Sequence, residues 1–221
     1  MLCYVELKRM KSALITIFVT GIALSILAAE PAPDGDWKLI KQSNDVAIYS
    51  RPRQGSKLKE FKAIGGIDAS TEKVHKVIDD VEAYPSFMPY TAEASVLERK
   101  DNSLISYQRI SPKIVGDRDY TLRIKKKSWP AKFGIAYLNE WQPANEHGPR
   151  EKPGVFRVKL CNGSWLLEPA EVNKTRATYH VFTDSGIRVP PLLANTISET
   201  GISKLFAAVR SQVKEPKYQA N

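Results

Sequence analysis

The densest group of reactive side chains in the sequence is the run of residues 117–127. Its first four residues, Asp-Arg-Asp-Tyr, offer two carboxylates for acid/base chemistry, and its last three are lysines that would suit an anionic partner. Adjacent residues of a strand point to opposite faces of the sheet, so Arg118 and Asp119 would not converge on one reacting atom. We therefore interpret Arg118 as part of a structural ion pair with neighbouring carboxylates.

Strand alternation also divides the basic residues that follow. Arg123, Lys125 and Lys127 would share one face, while Leu122 and Ile124 would share the other. The basic face is either solvated or drawn into transient contact with an anionic membrane surface, where each lysine contributes roughly 1 kcal/mol. Nucleic acid is not an expected partner, because no aromatic residues interleave with these lysines to stack on bases.

Other reactive residues are scattered. His75, His147 and His180 lie far apart, and none has a second His or Cys three or four residues away, so no metal site is predicted. Cys161 lies outside any Gly-x-Ser-x-Gly nucleophile elbow, and no glycine-rich phosphate-binding loop is present. These patterns predict no metal, no cofactor and no nucleophilic catalyst.

Short strands dominate the elements that must position these residues. Each predicted strand is rich in β-branched or aromatic residues and is bounded by turn formers. Turns are predicted at Asn162-Gly163 and Asn173-Lys174. The predicted strands cover residues 46–49, 58–67, 94–98, 104–110, 119–127, 135–141, 155–160, 165–168 and 177–183.

Two helices are predicted. The first follows Ser70, a favourable N-cap, and ends near Tyr84-Pro85. The second follows Pro190-Pro191 and stops before Pro216. It is the only predicted element long enough to cover the apolar face of an antiparallel sheet, so the fold class is α+β. Its apolar stripe consists of Ile197, Ile202, Leu205, Phe206, Val209 and Val213.

The N-terminus has the pattern of a secretory signal peptide. Basic residues precede an apolar stretch that ends in Ala28-Ala29, and we predict cleavage at these alanines. The alternative is that the segment is retained as a membrane anchor. Translation could also begin at Met10 instead of Met1. Removal of residues 1–29 takes away three basic residues and one acidic residue, so the net charge falls from +9 to +7. The mature protein would be periplasmic or secreted, with Cys161 as its one cysteine and no internal disulfide.

Several short motifs occur in a characteristic order along the chain. Each is weak alone, and the order makes them specific. Together they resemble the START family of lipid-transfer domains, related to the steroidogenic acute regulatory protein, within the helix-grip superfamily. The motifs are Trp37 with Val-Ala-Ile-Tyr-Ser-Arg at 46–51, Ser-Pro at 111–112 with Gly-Asp-Arg-Asp-Tyr at 116–120, Gly-Val-Phe-Arg-Val at 154–158, Trp-Leu-Leu-Glu-Pro at 165–169, Thr-Tyr at 178–179 with Asp-Ser-Gly-Ile-Arg-Val-Pro at 184–190, and Leu-Ala-Asn at 193–195.

The resemblance implies a curved antiparallel sheet wrapped around the long C-terminal helix, with an internal apolar cavity for one lipid. On this basis residues 30–36 form a short linker, 37–215 the lipid-binding domain and 216–221 a C-terminal tail. We expect an exported, monomeric, non-enzymatic lipid-binding or lipid-transfer protein. In the phosphatidylcholine-binding branch an arginine after the first long helix holds the phosphate, and here that position falls near Tyr84. A sterol, a hopanoid-like or a fatty acyl lipid is therefore the expected ligand.

Nine residues are predicted to contact this ligand. Arg118 and Arg157 are the candidate polar anchors, with buried ion pairs as the alternative role. For the apolar candidates, plain core packing is the alternative. Those candidates are Tyr107, Tyr120, Trp165 and Tyr179 from strands, and Ile202, Phe206 and Val209 from the C-terminal helix.

Two other functions stay open at this point. Helix-grip relatives include aromatic-polyketide cyclases, so a cyclase or dehydratase is the main alternative; it would need a polar dyad facing the cavity, first of all His180 or Asp184. The other alternative is a membrane-surface scaffold that uses its basic face and holds no ligand.

Overall fold

The computed structural model describes residues 35–113, 115–184 and 191–219, with the backbone alone at 191–195. Within these residues the chain forms ten strands and three α-helices. The strands are β1 Lys38–Ser43, β2 Val46–Pro52, β3 Lys59–Ile67, β4 Thr91–Lys100, β5 Ser103–Ile110, β6 Arg118–Ala131, β7 Gly134–Pro143, β8 Phe156–Arg157, β9 Leu160–Glu171 and β10 Lys174–Asp184. The helices are α1 Thr71–Asp79, α2 Tyr84–Phe87 and α3 Pro191–Gln212.

The strands form one curved sheet in the order β1-β2-β3-β10-β9-β7-β6-β5-β4. Neighbours on this path are antiparallel, while the short β8 pairs in parallel with β6. The pairing of β3 with β10 joins the first strands of the domain to its last. The predicted α+β helix-grip fold, with an antiparallel sheet and a long C-terminal helix, is confirmed.

The predicted turn at Asn162-Gly163 is wrong, because both residues lie inside β9. A Cβ added to Gly163 would come within 2.3 Å of the His180 carbonyl oxygen and of a Trp141 ring carbon. Glycine at this position therefore permits the close approach of a neighbouring strand and ring. The strand predicted at 155–160 is likewise divided into β8 and the start of β9.

Helix α1 begins as predicted, since the Ser70 hydroxyl accepts a hydrogen bond from the backbone N–H of Lys73. It ends at Asp79, earlier than predicted, and the separate short α2 begins at Tyr84. The apolar side of α1 buries Val74 and Val77 against the sheet and α3. Helix α1 thus shares with α3 the covering of the sheet.

The second half of α3 is packed tightly against β2 and β3. Phe206 and Val209 are fully buried, and a Cβ added to Gly65 of β3 would lie 3.1 Å from the Phe206 ring. The Arg210 guanidinium donates to the carbonyls of Gly66 at 2.7 Å and Asp45 at 3.2 Å. These contacts connect this half of the helix to β3 and to the turn between β1 and β2.

Residues 216–219, assigned from the sequence to a tail, pack on the folded body. The Tyr218 ring is buried, and its hydroxyl donates to the Asp80 carboxylate at 2.7 Å. The predicted signal peptide at 1–29 and linker residues 30–34 lie outside the described residues. Among the helices that the structure does describe, none has the length and apolar character needed to cross a membrane.

Candidate functional site

A cavity of about 300 Å³ lies between the inner face of the sheet and α3, which borders it from Ile197 to Leu205. Most of its wall is aliphatic or aromatic. The inward residues of β6 form a continuous row across it, since alternate residues of a strand share a face. The apolar wall includes Ile78, Tyr84, Leu104, Tyr120, Leu122, Ile124, Trp141, Val158, Trp165, Tyr179, Val181, Ile197, Ile202 and Leu205.

Helix α3 contributes one side of the cavity through residues spaced by about one turn. Ile197, Gly201 and Leu205 recur every four residues and line it together with Ile202. A Cβ added to Gly201 meets no atom within 4 Å, so this glycine is not required by packing. The helix therefore presents unfilled space at Gly201.

Three aromatic rings form a connected wall. The Tyr179 ring centroid lies 4.8 Å from that of Trp165 and 5.7 Å from that of Trp141. Trp165 also contacts the core residue Phe206, with 5.3 Å between the ring centroids. Burial raises the pKa of the Tyr179 hydroxyl, so the wall is uncharged at neutral pH.

One end of the cavity holds Arg118, which is 6% exposed. Its Nη1 donates to the backbone carbonyls of Val115 and Gly116, and its Nε has no hydrogen-bond partner among the described residues. Burial lowers the pKa of the guanidinium, although an arginine stays charged at any ordinary pH. The carboxylate partner predicted for Arg118 is absent from the described residues, so that interpretation is wrong.

The opposite end of the β6 row is also polar, but its charges are paired. Lys126 lies 2.7 Å from the Asp79 carboxylate, which Arg99 also contacts at 2.7 Å. Burial alone would raise the pKa of Asp79, but these two cations hold it below its ordinary value. Asn139 lines the cavity here and contacts His75 across 3.3 Å between its Oδ1 and the imidazole Nε2.

The structure brings five of the nine predicted residues to the cavity wall, namely Arg118, Tyr120, Trp165, Tyr179 and Ile202. It does not bring Tyr107 or Arg157 there. Both contact the carboxylate of Asp119, which points away from the cavity between its inward neighbours. Phe206 and Val209 belong to the packed core beyond the end of the cavity, one to two helical turns past Ile202.

Arg157 and Asp119 instead form a buried ion pair, with 2.6 Å from Nε to Oδ1 and 3.1 Å from Nη2 to Oδ2. The Tyr107 hydroxyl donates to the same carboxylate at 3.2 Å. The hydrogen bonds of Arg157 to the Asp119 carboxylate raise the pKa of this guanidinium. The ion-pair role that the sequence left open for Arg157 is the one the geometry favours.

Several wall residues were missed from the sequence. Trp141 and Asn139 follow the period-two pattern of β7, which could have identified them. Cys161 could not be found this way, because it was placed next to a predicted turn. In the structure the Thr183 hydroxyl donates to the Cys161 Sγ at 3.4 Å, and burial raises the pKa of the thiol. Gln108 was missed because β5 is buried on both faces.

The two residues considered for cyclase chemistry lie elsewhere. His180 alternates with the inward Tyr179 and Val181 and so faces the outer side, where its Nε2 is 2.8 Å from the Glu60 carboxylate. Asp184 is exposed at the end of β10. Across residues 35–113, 115–184 and 191–219, no three His, Cys, Asp or Glu side chains are grouped to hold a metal ion.

Comparison with known proteins gives consistent matches. Residues 67–210 match the family described as polyketide cyclase / dehydrase and lipid transport. Uncharacterized protein PA1579 of Pseudomonas aeruginosa is 30% identical over 80% of this chain and 84% of its own. Mouse phosphatidylcholine transfer protein is 25% identical over 78% of this chain and 82% of its own. This chain also superimposes on the crystal structure of a STAR-related lipid transfer protein fragment from Xanthomonas axonopodis, with a TM-score of 0.72. The two are 26% identical, and the match covers 81% of this chain and 99% of that fragment.

Proposed function

Because the chain belongs to the START-related family of polyketide cyclases, dehydrases and lipid-transport proteins, we propose that it binds one lipid in the cavity beside α3 and transfers it between membranes. The observation that carries this proposal is the apolar wall of the cavity, with its connected aromatic rings. Burial of about ten methylenes contributes roughly 8 kcal/mol of gross binding free energy. Such a site binds by apolar area and shape and needs no catalytic group.

The cavity volume favours a compact ligand. About 300 Å³ is at the low end of the range for ligand pockets, roughly 300 to 1,000 Å³. One acyl chain or one ring system suits this volume better than a lipid with two long chains. The phosphatidylcholine named for the mouse relative is therefore not the ligand that we propose here.

Native mass spectrometry of the protein isolated from its own cell envelope tests this function. We expect one lipid bound per chain. Gly201→Leu would fill the space beside α3 and should displace the lipid, while Gly201→Ala, the matched control, should retain it. Equal lipid retention by both variants would contradict binding beside α3, and a lipid-free wild-type protein would contradict the function itself.

The alternative of a cyclase remains consistent with the family description. It has less support from the geometry, because His180 contacts Glu60 on the outer side of the sheet. Turnover of a small aromatic polyketide, abolished by Gly201→Leu, would favour the cyclase over the lipid carrier.

We also propose that the outward face of β6 contacts an anionic membrane during transfer. Arg123, Lys125, Lys127 and Trp129 share this face, and Trp129 is exposed near the tip of the β6–β7 hairpin. Lysines favour anionic head groups and tryptophan favours the interface, so the combination suits a bilayer surface. The protein should co-sediment more with vesicles that contain phosphatidylglycerol than with neutral vesicles, and Trp129→Ala should weaken this co-sedimentation. Equal binding to both vesicle types would contradict this contact.

Export stays a proposal that rests on the pattern of residues 1–29. We expect the protein from its host to begin near Glu30. Intact-protein mass spectrometry of the periplasmic and membrane fractions distinguishes cleavage from a retained anchor.

A further inference from the structure

We infer that the ligand is a single-chain lipid with an acidic head group, a carboxylate or a phosphate monoester, and that Arg118 holds this group. The inference rests on the proposed function, since it names the ligand class of the same cavity. Arg118 is 6% exposed and lines the cavity. Its Nε is buried without a hydrogen-bond partner among the described residues.

The carboxylates nearest to Arg118 in the sequence are already engaged. Asp117 accepts hydrogen bonds from Arg109 and, at 2.6 Å, from the Ser111 hydroxyl. Asp119 accepts two hydrogen bonds from Arg157 on the other face of the sheet. In the part of the chain that the structure describes, no ion pair satisfies the charge of Arg118.

A buried guanidinium without a counter-charge is costly, because two backbone carbonyls replace only part of its lost hydration. An anionic ligand group would neutralise the charge and accept charge-assisted hydrogen bonds, which are stronger than those between neutral groups. The planar guanidinium also matches the oxygen spacing of carboxylate and phosphate. A lipid alcohol would leave the charge uncompensated.

The rest of the wall defines a direction for the tail. From Arg118 the inward row of β6 continues through Tyr120 and Leu122 to Ile124, a span of roughly 20 Å at about 3.3 Å per residue. The far end offers no comparable anchor, because its cations Lys126 and Arg99 are already paired with the Asp79 carboxylate. The head group therefore lies at Arg118, and the chain runs along β6 towards Ile124.

The test compares three ligands that share a sixteen-carbon chain, namely palmitic acid, hexadecyl phosphate and hexadecanol. Each is titrated into delipidated full-length mature protein, and binding is followed by tryptophan fluorescence, since Trp141 and Trp165 line the cavity. We expect at least one of the two acids to bind about tenfold or more tightly than the alcohol. The comparison of the two acids distinguishes a carboxylate from a phosphate head group.

Substitution of the anchor should remove this preference. Arg118→Met is expected to weaken binding of the preferred acid by about 10- to 100-fold and to leave hexadecanol binding unchanged or tighter. Arg176→Met is the matched control, because it removes the same charge from the outer side of the sheet, where Arg176 pairs with Glu168. It should leave the acid preference intact.

The outcomes separate this inference from the proposed function. If the alcohol binds as tightly as both acids in the wild-type protein, or if dipalmitoyl phosphatidylcholine binds more tightly than all three, the Arg118 assignment is overturned while lipid binding stands. If no lipid binds, the proposed function fails as well. Should Arg118→Met not fold, the wild-type preference and its reduction in Arg118→Lys decide the question, because lysine keeps the charge without the planar fork.

Discussion

The two halves of α3, taken as residues 197–205 beside the cavity and 206–212 beyond it, lie against the same sheet in different surroundings. Phe206 and Val209 are fully buried, and a Cβ added to Gly65 of β3 would lie only 3.1 Å from the Phe206 ring. Around Gly201 and Leu205 the helix borders the cavity instead. Because packing density determines the cost of removing atoms, we expect one half of the helix to contribute more to stability, while the other borders the proposed binding site.

The two arginines of the predicted site, Arg118 and Arg157, also differ in their surroundings, because only one of them has a counter-charge among the described residues. Arg157 is buried against Asp119 and therefore has its counter-charge within the protein. Arg118 is buried at the cavity with backbone carbonyls alone. Arg157 therefore forms a structural ion pair, whereas Arg118 is the one that we propose as the binding group.

The largest effect that tests this comparison is expected from Phe206→Ala. It should lower the free energy of unfolding by about 4 kcal/mol, because it removes a fully buried ring from the core. The adjacent Leu205→Ala should cost only about 1 to 2 kcal/mol, since Leu205 is half-buried beside the cavity. Equilibrium urea unfolding of both variants measures the difference, and equal losses would show that the two halves are packed alike.

The next effect is expected from Arg157→Met, which leaves the Asp119 carboxylate buried without its partner and should cost about 3 kcal/mol. In the lipid-free protein Arg118→Met should change stability by less than about 1 kcal/mol, because it removes an uncompensated charge together with a few hydrogen bonds. Thermal and urea unfolding check both values. A large loss in Arg118→Met would indicate a structural role for that arginine instead.

The sequence predicted features that depend on local residues and on periodicity. The cap at Ser70, the two-faced pattern of β6 and the apolar stripe of α3 are examples. It could not assign Tyr107 to a face, because β5 is buried on both faces and its alternation is uninformative. Gly163 resembles a turn residue in the sequence, and the close approach of the His180 carbonyl and the Trp141 ring from neighbouring strands explains it only in the structure.

The partners of charged residues could not be predicted for a similar reason. Asp117 and Asp119 flank Arg118 in the sequence, yet their cations come from Arg109 and Arg157, which are 8 and 38 residues away. The pairing of β5 with β6 brings Arg109 close to this segment, and the pairing of β8 with β6 brings Arg157 there. The residues around position 118 do not reveal either pairing. The sequence thus included Arg118 among the cavity candidates but assigned it the wrong partner.

A smaller effect is expected from acid, through His75 beside the cavity and His180 on the outer side. Burial lowers the pKa of both from the ordinary value of 6.5. The unfolded chain therefore takes up protons first as the pH falls, and stability should decrease from about pH 6.5 downwards. Urea unfolding between pH 7 and 5 tests this, and His75→Gln should flatten the dependence. A stability that rises over this interval would contradict the direction of both shifts.

The smallest effect, and the one of opposite sign, is expected at Gly201. Glycine within a helix costs up to about 1 kcal/mol relative to alanine, and here an added methyl group meets no atom within 4 Å. Gly201→Ala should therefore raise the free energy of unfolding by about 0.5 to 1 kcal/mol, as measured by urea unfolding of lipid-free protein. The same change at Gly65, where a Cβ would lie 2.8 Å from the Asp45 carbonyl oxygen, should be destabilising. If both substitutions destabilised the protein, the space beside Gly201 would have to be occupied, and the difference between the two halves of α3 would not hold.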